Sequence, residues 1–308
     1  MTLAFSLDGL RAVEFGIGRD TDNGRVFHCV PVDTHVQAAL REMAAETWRA
    51  LTTFGVPATY EPSEKHAARE YLTLPLLNPM ASSLRALYAS NNIPVDTRAL
   101  DHPSQIFAYF AKFTDARGRR LTGLHRAAQF KGVLRSRNRL VRLVADTLHI
   151  VDGEIFKLDM DFDMLIDATQ VYILRPAAFE FVGQLQQAVM DAVPTNIAAL
   201  QTDIAFLDLS VVASYAAAHP RAARYLASIC AAEETKNISK AKLKALCRRT
   251  GVSVTERAGM LHVDEGHVLG FLEVLDRRRY ELELIQGLRE LYRAPSRQRI
   301  SGNGGGQE

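Results

Sequence analysis

Cysteine is scarce in this chain of 308 residues, which has three: Cys29, Cys230 and Cys247. None stands in the Cys-x-x-Cys spacing of zinc or redox sites, so neither a cysteine-built metal finger nor a disulfide framework is expected. They read as buried thiols of a reducing compartment. Long apolar runs are missing as well. The most apolar stretch, residues 197–218, is broken by Asp203 and Asp208, whereas a membrane-spanning helix needs about 20 mostly apolar residues. Residues 1–15 lack a basic segment followed by a continuous apolar one, so the chain does not read as secreted and a cytoplasmic location is expected.

Catalytic signatures are equally thin. The nine histidines are scattered, without His-Glu-x-x-His or His-x-His spacing. There is no Gly-x-Ser-x-Gly, no phosphate loop and no dinucleotide fingerprint. Gly16-Ile17-Gly18 is too short to stand for one. The hydrolase, kinase and dehydrogenase classes therefore have no support, and the expectation is a protein without enzymatic activity and without a cofactor.

What is present is an ordinary globular composition, 47% hydrophobic and 23% charged, long enough for one large domain or two of roughly 150 residues. The net charge is only +2, but its distribution is uneven. Residues 112–142 carry ten Lys or Arg against one acid, Asp115, for a local net of +9. Residues 236–257 carry seven against Glu256, for +6. The rest of the chain must hold −13. Two basic islands in an acidic protein focus a positive potential if they meet in space.

The apolar periodicity divides the chain. Residues 3–30 alternate around the turn Asp22-Asn23-Gly24 and predict a β-hairpin. Asp33 or Thr34 caps a helix whose stripe is Val36, Leu40, Met43, Ala44, Trp48 and Leu51, ending at Gly55. Residues 56–92 read as loops around one short helix at 82–89. Short β-rich runs follow at 106–113, 121–130, 140–144, 148–151, 155–158 and 171–174, which predict an antiparallel meander. Beyond Pro176 the spacing becomes helical, first along Phe179, Val182, Leu185 and Val189, then at 197–207, 211–218 and 221–232. Residues 239–264 read as helix, hairpin, helix, with Lys240, Lys244 and Arg248 on one stripe of the first helix.

The fold expected is α+β: an N-terminal hairpin and helix, a central antiparallel β-meander, and a C-terminal helical region with a small helix-hairpin-helix unit. The division expected is an α+β domain over 1–176 carrying the basic face, a mainly helical domain over 177–294, and a disordered tail over 295–308, whose Gly-rich end has no means of packing.

Arginine presents a planar donor fork that matches phosphate, so the first island predicts DNA binding through Arg117, Arg119, Arg120, Arg126, Lys131, Arg135, Arg137, Arg139 and Arg142. Its densest part is Arg135-x-Arg137-x-Arg139, where an extended chain sends all three guanidinium groups to one side. Lys240, Lys244 and Arg248 are the candidates in the second. Asp159-x-Asp161-x-Asp163 suggests a metal site, but an EF-hand needs Gly and Glu where this chain has Met164 and Gln170. A solvent-exposed polar strand face is the reading preferred there, and no metal is expected. A metal-dependent nuclease on those carboxylates, and a regulatory scaffold whose basic islands bind an acidic protein, are the alternatives.

The run from Ile155 through Lys157-Leu158-Asp159-Met160-Asp161-Phe162-Asp163 to Asp167, followed by Val171-Tyr172-Ile173-Leu174 and Phe179-Glu180-Phe181, resembles the Kiwa protein KwaB-like family. Residues 238–254, Leu261-His262-Val263 and the run from Phe271 to Tyr280 are similar too. These segments lie between residues 155 and 280 and are structural in character, not catalytic. The resemblance implies a bacterial anti-phage defence protein that binds DNA and works with a small multi-span membrane protein, in the cytoplasm and at the inner membrane through that partner. It implies no catalytic residues. A homodimer, which doubles the phosphate contacts, completes the expectation: a sequence-nonspecific DNA-binding effector that blocks phage replication or transcription by occupancy.

Overall fold

The computed structural model describes residues 5, 11–54, 57–98, 105–127, 141–144, 147–150 and 157–294. The chain forms two compact units, Met1–Tyr60 with Ala67–Leu185, and Glu61–His66 with Gln186–Glu308. The architecture is α+β.

In the first unit β1 (Ala12–Thr21) and β2 (Gly24–Val30) form the N-terminal hairpin, with Gly24 at φ 105 closing the turn, a backbone that favours glycine. Helix α1 (Thr34–Thr53) starts where expected: Asp33 accepts a hydrogen bond from the Val36 N–H, which satisfies a free donor of the first turn. Strands β3 (Ala58–Thr59) and β4 (Leu72–Pro75) lie in the stretch read as loops, and α2 (Ser82–Ala89) is the short helix predicted there. Then come β5 (Ile106–Thr114) and β6 (Arg120–Arg126), the pair β7 (Val141–Val144) and β8 (Thr147–Ile150), β9 (Met164–Ile166), β10 (Gln170–Ile173), and α3 (Pro176–Val182).

Eight of these strands form one sheet in the order β2-β1-β5-β6-β9-β10-β4-β3, while among the described residues β7 and β8 pair only with each other. The meander is therefore real over β5, β6, β9 and β10, but it is extended at one edge by the first hairpin and at the other by β4 and β3, which pair in parallel. The strand predicted at 155–158 does not form over Lys157 and Leu158; its first half lies outside the described residues. β5 is buried at every position but its last, so the sheet is covered on both faces. On one face α1 contributes Leu40, Met43, Ala44 and Leu51 to a core with Phe15, Tyr109, Phe113 and Leu165, and α3 contacts β6.

The division between units falls after Leu185, so α3 belongs with the sheet. The helical stripe Phe179, Val182, Leu185 and Val189 is buried throughout, yet it is two helices, α3 and α4 (Leu185–Asp191), separated at Gln184, which adopts φ 51. The second unit continues with α5 (Val193–Asp203), α6 (Ser210–Ala218), α7 (Pro220–Ala231) and α8 (Lys240–Arg249). The hairpin β11 (Val254–Arg257) and β12 (Met260–Val263) and helix α9 (Val268–Leu275) follow, and form the predicted helix-hairpin-helix. The chain then leaves helix altogether: β13 (Arg279–Ile285) and β14 (Leu288–Arg293) form a second hairpin, where a helical region was expected. It is anchored by charge, since Glu273 of α9, fully buried, accepts from Arg279 at 2.8 Å and meets Arg293 at 3.4 Å and Arg221 at 3.2 Å.

Candidate nucleic-acid interface and an acid-basic cleft

The described members of the first basic island do not form one patch. Arg117, Arg119 and Arg120 sit at the turn of the β5–β6 hairpin, and Arg126 at its open end, opposite Ala108. At a rise of about 3.4 Å per residue, Arg120 and Arg126 stand about 20 Å apart. Several of these charges are also engaged. Asp115 accepts from the N–H groups of Arg117 and Arg119 at 2.9 Å and from Arg119 Nε at 2.7 Å. Burial alone would raise its carboxyl, but these hydrogen bonds hold it below the usual value. Arg120 lies over the Tyr88 ring at 5.1 Å and donates to Asn91. Lys112 is buried and donates to the Ser90 carbonyl, and burial lowers its pKa.

Arg117 and Arg126 remain exposed. Arg142 stands on β7 opposite His149. Lys131, Arg135, Arg137 and Arg139 lie outside the described residues. The second island belongs to the other unit. There Lys244 meets Glu256 at 2.8 Å, and Lys240 meets the same carboxylate and donates to the Gly259 carbonyl at 2.6 Å. These hydrogen bonds, that from Lys240 first, hold Glu256 down at about 2. Arg248 is exposed.

The acidic motif departs from expectation. Asp159, Asp161 and Asp163 lie in irregular chain before β9, not along a strand, and Asp161 and Asp163 are buried, at 9% and 2% exposure. They are not a polar strand face. The segment is pinned from several sides. Phe162 N–H donates to Thr47 Oγ1 of α1 at 2.7 Å, and its ring occupies the space a side chain at Gly123 would need, with a Cβ there falling 2.5 Å from the ring. Asp163 N–H donates to the Leu124 carbonyl, while Asp163 Oδ2 accepts from the Arg126 N–H at 2.6 Å.

Burial of the carboxylates is offset by their own cations. Arg175 reaches Asp161 at 2.7 Å and Asp163 at 2.9 Å; Arg69 reaches Asp161 at 2.7 Å. Lys157 meets Asp159 at 2.8 Å, and His125 Nε2 lies 3.1 Å from Asp159 while its Nδ1 faces the Asp161 carbonyl at 3.0 Å. The His125 ring stacks on Tyr109 at 5.0 Å. Burial works to raise the Asp159 carboxyl, but Lys157 and His125 outweigh it and hold it low. Burial first, then the neighbouring Asp159, pushes the Tyr109 phenol well above its usual value. A divalent ion would have to displace these cations, and no group of three His, Cys, Asp or Glu among the described residues is arranged to hold a metal.

Above this segment opens a cavity of about 1210 Å³. Arg49 of α1, Arg69, Arg126, Lys157 and Arg175 line it together with Asp20, Glu46 and the three aspartates, so acid and base share one cleft in equal number. Of its cations, Arg49, Arg69 and Arg175 did not stand out in the sequence, because they come from segments without a charge run or a spacing that marks them.

Comparison with protein-family models, with curated proteins and with solved structures gives no match to this chain.

Proposed function

We propose that this protein is a sequence-nonspecific DNA-binding effector of a Kiwa-like two-component anti-phage defence system, acting by occupancy of phage DNA. The observation that carries the reading is the local net charge of +9 over residues 112–142 in a chain whose remainder is acidic. Lys112 and Arg119 are committed to internal partners, so the phosphate contacts fall to Arg117 and Arg120 at the turn of the β5–β6 hairpin, to Arg126 at its other end, and above all to Lys131, Arg135, Arg137, Arg139 and Arg142. The resemblance of the 155–181 and 238–280 segments to the Kiwa KwaB-like family supplies the biological setting. With it come a small multi-span membrane protein as partner and recruitment to the inner membrane through that partner; a homodimer would double the phosphate contacts. No helix among the described residues is long and apolar enough to cross a membrane.

The test is a salt titration of duplex DNA binding. Each phosphate contact releases condensed counterions, so log affinity falls with log salt at about −0.9 per contact. With about five contacts, raising salt from about 50 to 200 mM weakens binding by roughly 500-fold. Replacing Arg135, Arg137 and Arg139 by Ala is expected to flatten the slope by about 2.7 and to weaken all sequences alike, since phosphate contacts carry no base information. An identical slope for wild type and triple variant would sink the reading. Supercoiled plasmid incubated with Mg²⁺ is expected to stay intact; nicking that disappears in an Asp161→Asn, Asp163→Asn variant would move the assignment to a nuclease.

A further inference from the structure

The cleft contains a cation that its internal ion pairs leave unused. Arg126 is exposed, and among the described residues no carboxylate stands within ion-pair distance of its guanidinium. Its Cζ lies 4.0 Å from the centroid of the Phe181 ring. That ring is itself fixed: Arg25 lies over it at 4.8 Å and donates to the Phe181 carbonyl at 2.7 Å. The Arg126 backbone is fixed too, through its N–H bond to Asp163. The result is an exposed guanidinium positioned over an aromatic ring, and a guanidinium can stack a planar π system.

Three more cations reach the same cavity with donors to spare. Arg49, Arg69 and Lys157 keep side-chain exposures of 68%, 49% and 62%, and each pairs with one carboxylate, that of Glu46, Asp161 and Asp159 respectively. An arginine carries five N–H donors and a lysine three, so most of this capacity faces open space. Phe107 and the exposed Met160 add apolar surface to the lining. The volume exceeds the roughly 300–1,000 Å³ of ordinary small-molecule sites. A cationic ligand is disfavoured, because Asp159, Asp161 and Asp163 already have cationic partners. Inorganic phosphate alone would leave the stacking plane unused.

We propose that this cleft takes a nucleotide, its phosphate held by Arg69 and Lys157 and its base stacked on the Arg126 guanidinium. The ligand is a free nucleotide or the 5′-phosphorylated end of a single strand, which share this chemistry. The proposal rests on the nucleic-acid reading for its ligand class, while duplex binding through residues 131–142 does not require it.

Isothermal titration calorimetry on the full chain tests it, with thymidine 5′-monophosphate, thymidine, inorganic phosphate and a 5′-phosphorylated oligothymidylate as probes. Saturable binding is expected for the monophosphate or the oligonucleotide, with thymidine and inorganic phosphate each weaker. The monophosphate alone assigns the cleft to free nucleotides, the oligonucleotide alone to strand ends. Arg126→Ala is expected to weaken that binding about tenfold, the scale of one lost stacking contact, and Arg126→Lys to do nearly the same, because it keeps the charge but not the plane. Arg98→Ala, an exposed change outside the cleft, is expected to leave it unaltered. Circular dichroism confirms that each variant folds. Absence of binding by both phosphorylated probes, inorganic phosphate binding as tightly as the monophosphate, or equal behaviour of the Arg126→Ala and Arg98→Ala variants would overturn the proposal. Salt-dependent duplex binding without nucleotide binding overturns the cleft and leaves the DNA reading standing; the converse result overturns the DNA reading alone.

Discussion

Arg175 carries more of the first unit than its place in a turn suggests. Its guanidinium is the shared partner of Asp161 and Asp163, two carboxylates otherwise removed from water. Truncating it takes the arginine from buried Asp163 while Asp161 keeps Arg69, and breaking a buried pair by removing one partner costs about 3–5 kcal/mol. Arg175→Ala is therefore expected to lower unfolding stability by about 3 kcal/mol or more in a urea titration, with Arg175→Lys recovering part because a lysine cannot fork between two acids. Asp159 supplies a pH signature. Its folded-state carboxyl is depressed, so its contribution is complete above the unfolded value of about 3.9 and is lost as pH falls through the lower, folded value. An Asp159→Asn variant should show a shallower loss of stability below about pH 4, and an unchanged acid limb would show that the Lys157 and His125 contacts do not persist in solution. The spacing of these acids was plain in the sequence, but their partners were not. Arg175 and Arg69 approach them only because β10 returns beside β9 and β4 in turn pairs with β10, and no local period announces that.

At the scale of elements, β1 shows why a strand holds glycines. A Cβ on Gly16 would fall 2.2 Å from the Phe110 ring and 2.5 Å from the His28 carbonyl of the neighbouring strand. Neither neighbour can give way, since one is core and the other backbone. Gly16→Ala should therefore cost about 1–3 kcal/mol, the usual scale of overpacking, measured by chemical denaturation; a neutral result would mean that β1 and β2 can part without penalty. Gly16-Ile17-Gly18 thus has a packing meaning where it had none as a motif. Helix α1, the first hairpin and α2 were legible because cap, turn and apolar stripe agreed with one another. β9 was not, because three residues following an acidic run offer too little alternation. β13 and β14 were not read as strands although Tyr280, Leu282 and Leu284 alternate with Arg279, Glu281 and Glu283. The alternation was present, but the apolar positions are not buried as a strand's usually are: Leu284 is 84% exposed. What holds the hairpin is the arginine cluster on Glu273, a tertiary feature that its own sequence does not display.

For the whole molecule, the proposed DNA binding raises the question of which basic island would carry it, since the two belong to different units. Composition rates them as comparable, but the local structure does not. In the second, Lys240 and Lys244 already share Glu256, and that carboxylate, held down at about 2, stays ionised across the physiological range. A lysine whose charge a carboxylate already neutralises keeps donors to spare but releases fewer counterions from DNA, so of the three only Arg248 is expected to contribute its full charge. If all three engaged phosphates, replacing them by Ala would flatten the salt slope by about 2.7; with two of them clamped the change should be about 0.9. The double variant Lys240→Ala, Lys244→Ala should then leave the slope close to wild type, and Glu256→Gln should steepen it by freeing both lysines. A flattening of about 1.8 in the double variant would show that DNA outcompetes Glu256, and would place the second island in the interface on equal terms with the first.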